Sequence, residues 1–178
     1  MSPKLLSLRG CFELDDNARM TDFEIFSYEA NDLTRGWEIE SAYIWPRTSR
    51  AETGGDSGQF LGCWSLATDT IGSVGFDELV NAEDNRQCGW IQMGWQRRQS
   101  AVADFLTNSG SNPYPAEFGL DPQTIVVSNL YLNGYTTSDS STSPTRIWNY
   151  MVVLRPRKMQ PMQTILHIIK GKAQDVDN

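Results

Sequence analysis

An antiparallel β-sandwich followed by one C-terminal helix is the fold class this sequence predicts, and three observations predict it. Apolar and polar residues alternate along several short segments, as a half-buried strand requires. Loops rich in Gly, Pro, Asn and Ser separate those segments, and there is no strand–helix alternation of the kind a parallel sheet needs. A helical period stands out in one place only, after Pro161.

Taken in order, Lys4 to Glu13 is a mostly apolar strand closed by the turn Asp15-Asp16-Asn17. Asp22 to Glu29 alternates, with Phe23 and Ile25 opposite Glu24 and Phe26. Trp37 to Trp45 has the clearest alternation: Trp37, Ile39, Ser41, Tyr43 and Trp45 share a face, Glu38 and Glu40 take the other, and Pro46 closes it. Phe60 to Ala67 reads as buried on both sides, and Ile71 to Phe76 is a further candidate strand. Asp77 to Asn85 has room for one or two helical turns. Trp90 to Arg98 is a strand with Ile91, Met93 and Trp95 on one face. Val102 to Thr107 fits either a short helix or a strand. After the breakers of 108–115, Thr124 to Tyr135 is a long β-branched and aromatic strand. A Ser/Thr tip and Pro144 precede the last strand, Arg146 to Arg155.

These make seven strands, or eight with Ile71 to Phe76. Eight in two packed sheets is the count of a jelly roll, and a seven-stranded immunoglobulin-like sandwich is the alternative. A chain of 178 residues buries about 70% of its extended surface as one domain, so no disulfide staple is needed. The expected division is a sandwich over 1–155 and a helix with its tail over 156–178. Pro161 suits the first helical position, and Met162, Ile165 and Ile169 form an apolar stripe within Pro161 to Gln174. Pro156 and Pro161 are expected to release this piece from the preceding strand. The expected core is Ile39, Leu61, Trp64, Ile91, Met93, Ile125, Val127, Leu130, Trp148, Tyr150, Val152 and Leu154.

The residue inventory removes most chemistry. One histidine, His167, cannot build a cupin or zincin metal site, which needs two or three imidazoles. Cys11, Cys63 and Cys88 form no C-x-x-C pair, and each has a large apolar neighbour, so buried free thiols and synthesis in a reducing compartment are expected. Glu38 with Glu40, Asp15 with Asp16, and Glu83 with Asp84 are carboxylate pairs that an acidic surface supplies without catalysis. Gly54 to Gly58 lacks the lysine of a phosphate loop. The expectation is no catalytic, cofactor-binding or metal-binding residue, and no enzyme.

Charge is segregated. The chain carries −7 overall, yet Met1 to Pro46 has four cations against nine acids, and the residues from Thr145 on have six cations against two acids. Unlike ends of this kind suit docking onto another copy or onto an anion. Six Trp, six Tyr and seven Phe exceed what a small core consumes, which points to interfaces.

Three segments, Leu120-Asp121-Pro122-Gln123-Thr124-Ile125-Val126-Val127-Ser128-Asn129-Leu130-Tyr131-Leu132, Trp148-Asn149-Tyr150-Met151-Val152-Val153-Leu154 and Ile165 to Val176, carry a resemblance. They resemble the small single jelly-roll coat proteins of small single-stranded DNA viruses, over the last third of the chain. The resemblance implies a non-enzymatic capsid subunit that assembles with copies of itself in a virion, with other virion proteins and genomic nucleic acid as further partners. Many such proteins have a basic N-terminal arm, whereas this N-terminus is acidic. Contact with nucleic acid or a neighbouring subunit would then fall to Arg155, Arg157, Lys158, Lys170 and Lys172, and subunit contact to Met162, Ile165 and Ile169. No segment is long and apolar enough to span a membrane, and Met1 to Glu13 does not read as a signal peptide, so synthesis in the host cytoplasm is expected. The competing reading is a carbohydrate-binding sandwich, with Trp37, Tyr43 and Trp45 as the sugar-stacking face.

Overall fold

The computed structural model describes residues 4–28, 34–47, 59–99, 104–108, 115–138 and 145–172, with backbone alone at 59–60, 95–99, 104–108 and 170–172. The strands are β1 (Leu6–Asp15), β2 (Arg19–Ser27), β3 (Arg35–Pro46), β4 (Gln59–Ala67), β5 (Gln87–Gln99), β6 (Asp104–Asn108), β7 (Ala116–Glu117), β8 (Gly119–Leu120), β9 (Ile125–Val126), β10 (Asn129–Ser138) and β11 (Thr145–Lys158). One helix, α1 (Pro161–Lys172), follows.

One sheet has the order β1-β11-β3-β7, with β9 also on β3; the other has β2-β10-β4-β5-β6, with β8 on β5. Pairing is nested and antiparallel: β1 with β11, β2 with β10, β3 with β7 and β9, β4 with β5. Successive long strands from β1 to β4 alternate between the sheets, so one long antiparallel ribbon is wound into a sandwich. That is the jelly roll.

Several elements differ from the sequence reading, each for a physical reason. Where the sequence fits either a helix or a strand, Asp104–Asn108 forms the strand β6, because its backbone pairs with β5. Ile71 to Phe76 is not a strand. Its amides go elsewhere: the Asp22 carboxylate accepts the N–H of Ile71 at 2.7 Å and of Gly72 at 3.0 Å. Ile71 and Leu79 then bury against Ala67 in a small second core, and the helical content of this loop is the single 3-10 turn Phe76–Glu78. Thr124 to Tyr135 is two strands, because β9 pairs in one sheet and β10 in the other. Between the breakers of 108–115 and Thr124 lie two short strands that the sequence did not signal, β7 and β8. The glycine-rich segment Gly54 to Gly58 lies outside the described residues. Pro156 does not release the chain: β11 stays paired with β3 through Lys158. Proline is tolerated there because pairing with β1 stops at Leu6 opposite Leu154, so the strand has become an edge.

The core is centred on Trp64 and Trp148, both fully buried, with ring centroids 4.8 Å apart at 61°. Ile91, Met93, Leu130, Val152 and Leu154 pack in the same cluster, as expected, while Ile39 and Tyr150 are half-buried against it. Leu61 and Ile125 are half-buried, and Val127 is buried. Phe12, Leu14, Ala42, Ile44, Leu66, Phe118, Val126 and Leu132 complete the core. At the centre of β10, a Cβ on Gly134 would lie 2.2 Å from the Cys63 carbonyl oxygen, so only glycine permits that close strand approach.

A bulge divides the face predicted for β3. Register with β11 skips between Ser41 opposite Val153 and Ile39 opposite Leu154, leaving Glu40 as the extra residue. One inserted residue inverts the parity. Trp37 and Ile39 therefore pack on the core, whereas beyond the bulge the inward residues are Ala42 and Ile44. Tyr43 and Trp45 lie on the opposite side from these, so the five-residue aromatic face does not exist.

Candidate assembly face and cationic pocket

The helix α1 begins where two local devices meet. Pro161 has no N–H to leave unsatisfied, and the Gln160 N–H donates to Oε1 of Gln163 at 3.3 Å, which is one half of a capping box. Its root is fixed by Met159, which is buried and whose N–H donates to the Thr34 carbonyl at 2.8 Å. Gly36 makes room for it: a Cβ there would come within 2.6 Å of the Met159 sulfur and 2.5 Å of Ile125.

The helix is inside-out relative to its own sandwich. At 100° per residue, Ile168, Ile165, Ile169, Met162 and Leu166 cover an arc of about 160°. All five are exposed, Met162 by 67% and Leu166 by 58%, whereas Thr164 on the other flank is fully buried. The Thr164 hydroxyl hydrogen-bonds the Met159 sulfur at 3.9 Å. His167 is half-buried on this helix. The face turned to the protein is thus narrow and polar, and the aliphatic face is turned away from it.

Beside the helix root, the ends of β3 and β11 and the residue after β2 enclose a pocket of about 420 Å³. It is lined by Tyr28, Arg35, Gly36, Trp37, Pro156, Arg157 and Lys158. Register places Lys158 opposite Arg35, Arg157 opposite Gly36 and Pro156 opposite Trp37. The Tyr28 and Trp37 rings meet edge-to-face, 6.1 Å apart at 83°, and Phe26 backs both at 6.3 and 5.8 Å. Tyr28 itself is held by its N–H, which donates to the Ser128 carbonyl at 2.9 Å.

The predicted cations do not act as one patch. Arg155 grips Glu40 with two hydrogen bonds of 3.0 and 2.6 Å, and Arg157 donates to Glu38 at 2.6 Å. The acidic first third and the basic last third therefore neutralise one another partly within the same sheet, because β3 and β11 are neighbours. Lys158 is exposed at the pocket, and the side chains of Lys170 and Lys172 lie outside the described residues.

The carboxylate pairs also have structural partners. Asp15 accepts from the Thr145 hydroxyl, and Asp16 from the Ser138 hydroxyl. Asp84 holds the buried Arg86 through Nε at 2.9 Å and Nη2 at 2.8 Å. Arg146 beside Asp16 is pushed below its ordinary value by burial, with the Asp16 charge opposing the shift. Cys63 and Cys88 are buried free thiols, but Cys11 is exposed because β1 turns its neighbour Phe12 inward. The Cys63 thiol is pushed up by burial, against the effect of its hydrogen bond with Tyr135. That bond, then burial, pushes the Tyr135 phenol up to about 12. Among the described residues no three His, Cys, Asp or Glu gather as metal ligands, and no helix is long and apolar enough to cross a membrane.

The sequence matches no protein-family model and no curated protein. Among solved structures it is similar to a chain of Desmodium yellow mottle tymovirus, at 13% identity and a TM-score of 0.30, over 90% of this chain and 85% of that one. It is also similar to a chain of Turnip yellow mosaic virus, at 12% identity and a TM-score of 0.27, over 90% of this chain and 97% of that one. Neither match is to a small single-stranded DNA virus. Likeness of this degree assigns no role.

Sequence reasoning missed the pocket. Tyr28, Arg35 and Trp37 are separated along the chain from Arg157 and Lys158, and only the pairing of β3 with β11 joins them. The faint signal was Arg35 beside Trp37, an aromatic next to a cation at the start of a strand.

Proposed function

We propose that this chain is a non-enzymatic structural protein that assembles with copies of itself into a virion shell. The observation that carries the reading is the outward aliphatic face of α1. Five exposed large aliphatics on a helix of 12 residues are a poor arrangement for a free surface, and such a helix is marginal without packing. A second copy that covers Met162, Ile165 and Ile169 supplies the missing side. The jelly roll supports the reading, being a fold used by viral shells, lectins and cupins. The last needs imidazole ligands, and the one histidine lies on α1, outside the sandwich. The lectin reading loses its three-residue platform, because the bulge at Glu40 puts Trp37 on the opposite side of the sheet from Tyr43 and Trp45. In the shell, other virion proteins and genomic nucleic acid are further partners, the latter on the side of Arg155, Arg157, Lys158, Lys170 and Lys172.

Light scattering after size exclusion, with electron microscopy of the peak, tests this. The purified chain should form closed particles of uniform diameter. Truncation after Gln160, which keeps the buried Met159, should give a folded protein without particles. A full chain that stays monomeric at every concentration would overturn the proposal.

A further inference from the structure

We infer that α1 of one copy lies across the outer face of the β1-β11-β3-β7 sheet of the next copy, over Tyr43, Trp45, Ile147, Met151 and Val153. This placement rests on the assembly proposed above and adds the surface of the neighbour that receives the helix.

Strand parity creates that surface. On β11 the side chains of Trp148, Val152 and Leu154 are buried in the core, so Ile147, Met151 and Val153 project from the opposite side of the sheet. On β3 beyond the bulge, Ala42 and Ile44 are buried, so Tyr43 and Trp45 project outward as well. All five are half-buried. Register sets Tyr43 beside Met151, and Trp45 beside Asn149 in the next outward row. The solvated face of an antiparallel sheet is ordinarily polar, whereas this one presents two aromatic and three aliphatic side chains. Tyr, Trp and Met are enriched where protein surfaces meet.

Shape and charge select α1 as the occupant. From Ile147 to Val153 the outward strip of β11 is about 20 Å long, six strand steps. The 12 residues of α1 span about 18 Å. β1 and β7 border the strip, about 14 Å apart across three strand spacings. A helix about 10 Å wide fits between them. These borders carry exposed acids: Glu13 on β1, level with Ile147, and Glu117 on β7, level with Tyr43. Arg9 on β1, level with Met151, is a cation on the same border. The segment Pro161 to Lys172 contains Lys170 and Lys172 and no acidic residue, so unlike charges meet at Glu13 and Glu117.

The aliphatic face of α1 is exposed, so the helix does not cover the strip of its own copy. A helix on one copy and a sheet on the next make a head-to-tail contact. Each copy then keeps one surface of each kind, and association continues until it closes, whereas α1 packed on α1 stops at a pair.

Cysteine cross-linking of the whole chain tests this placement. Cys11 is exposed on β1, level with Asn149, while Cys63 and Cys88 are buried. In Ile165→Cys, an exposed position, a short bismaleimide should join the new thiol to Cys11 of a second chain and give a ladder of covalent oligomers. Adding Cys11→Ser should remove the ladder. Independently, Tyr43→Ser with Met151→Thr should weaken association at least about tenfold in sedimentation, with thermal melting to separate lost contact from lost folding. A covalent dimer that persists with Cys11→Ser would assign the helix face to a second α1 and overturn the placement, as would a cross-link within one chain. Particles that form with no ladder, and equally well in the folded Tyr43 and Met151 variant, would overturn the placement and leave the assembly standing. A chain that stays monomeric at every concentration would overturn both.

Discussion

The centre of the sandwich and the C-terminal helix use the same residue types to opposite ends. Trp64, Trp148, Val152 and Leu154 are enclosed because two sheets face each other and each covers the apolar side of the other. Met162, Ile165, Leu166, Ile168 and Ile169 form as continuous an apolar surface, yet no second layer lies over them within the described chain. Stability should therefore be concentrated in the first region and assembly in the second. Substitutions in the two regions should have separable effects.

The largest expected effect on folding is in the core. Leu154→Ala removes a fully buried side chain from β11, held between β1 and β3, and should cost about 2–5 kcal/mol in chemical denaturation. A cost as small as that of a surface change would show that the centre is not the stable region. Next, Ile165→Asp with Ile169→Asp should change monomer stability by no more than about 0.5 kcal/mol for each exposed site while abolishing particles in light scattering. If both stability and assembly fall together, the helix belongs to the core and the contrast is lost. Arg155→Ala, which breaks the exposed pair with Glu40, should cost at most about 1 kcal/mol, and less at high salt.

The smallest effect is confined to alkaline solution. Tyr135 has a folded pKa of about 12 against an ordinary value of 10, so the fold favours its neutral form. That preference is fully expressed below pH 10 and is lost as pH rises from 10 through 12. Tyr135→Phe should therefore show a shallower loss of stability over this window than the parent chain, as measured by denaturation at stepped pH. Equal slopes would remove the Cys63–Tyr135 bond from the account.

Alternation and turn chemistry are local, and that is why most of the sandwich was legible in the sequence. Trp64, Trp148 and Leu154 could be assigned to the core because they lie in strongly apolar strand segments, and α1 from its proline start and apolar period. Ser41, Ala42 and Ile44 blur the alternation of Trp37 to Trp45, but they could not identify Glu40 as a bulge, because the extra residue exists only relative to β11. Ile71 to Phe76 has strand-like composition, but the Asp22 carboxylate, distant in sequence, takes the amides of Ile71 and Gly72. The exposure of Cys11 follows from which face of β1 meets the second sheet, a choice its own neighbours do not make.

Composition and periodicity were enough to specify an all-β chain with one terminal helix and to identify the stripe of Met162, Ile165 and Ile169, because period and propensity act within a few residues. Tertiary structure alone decided that this stripe faces away from the sandwich, that Arg155 and Arg157 are paired with Glu40 and Glu38, and that Tyr28, Arg35, Trp37 and Lys158 share one pocket. Each of those facts depends on which strands become neighbours. Strand pairing joins residues more than a hundred positions apart, as with Leu154 opposite Ile39, and no local pattern carries that information.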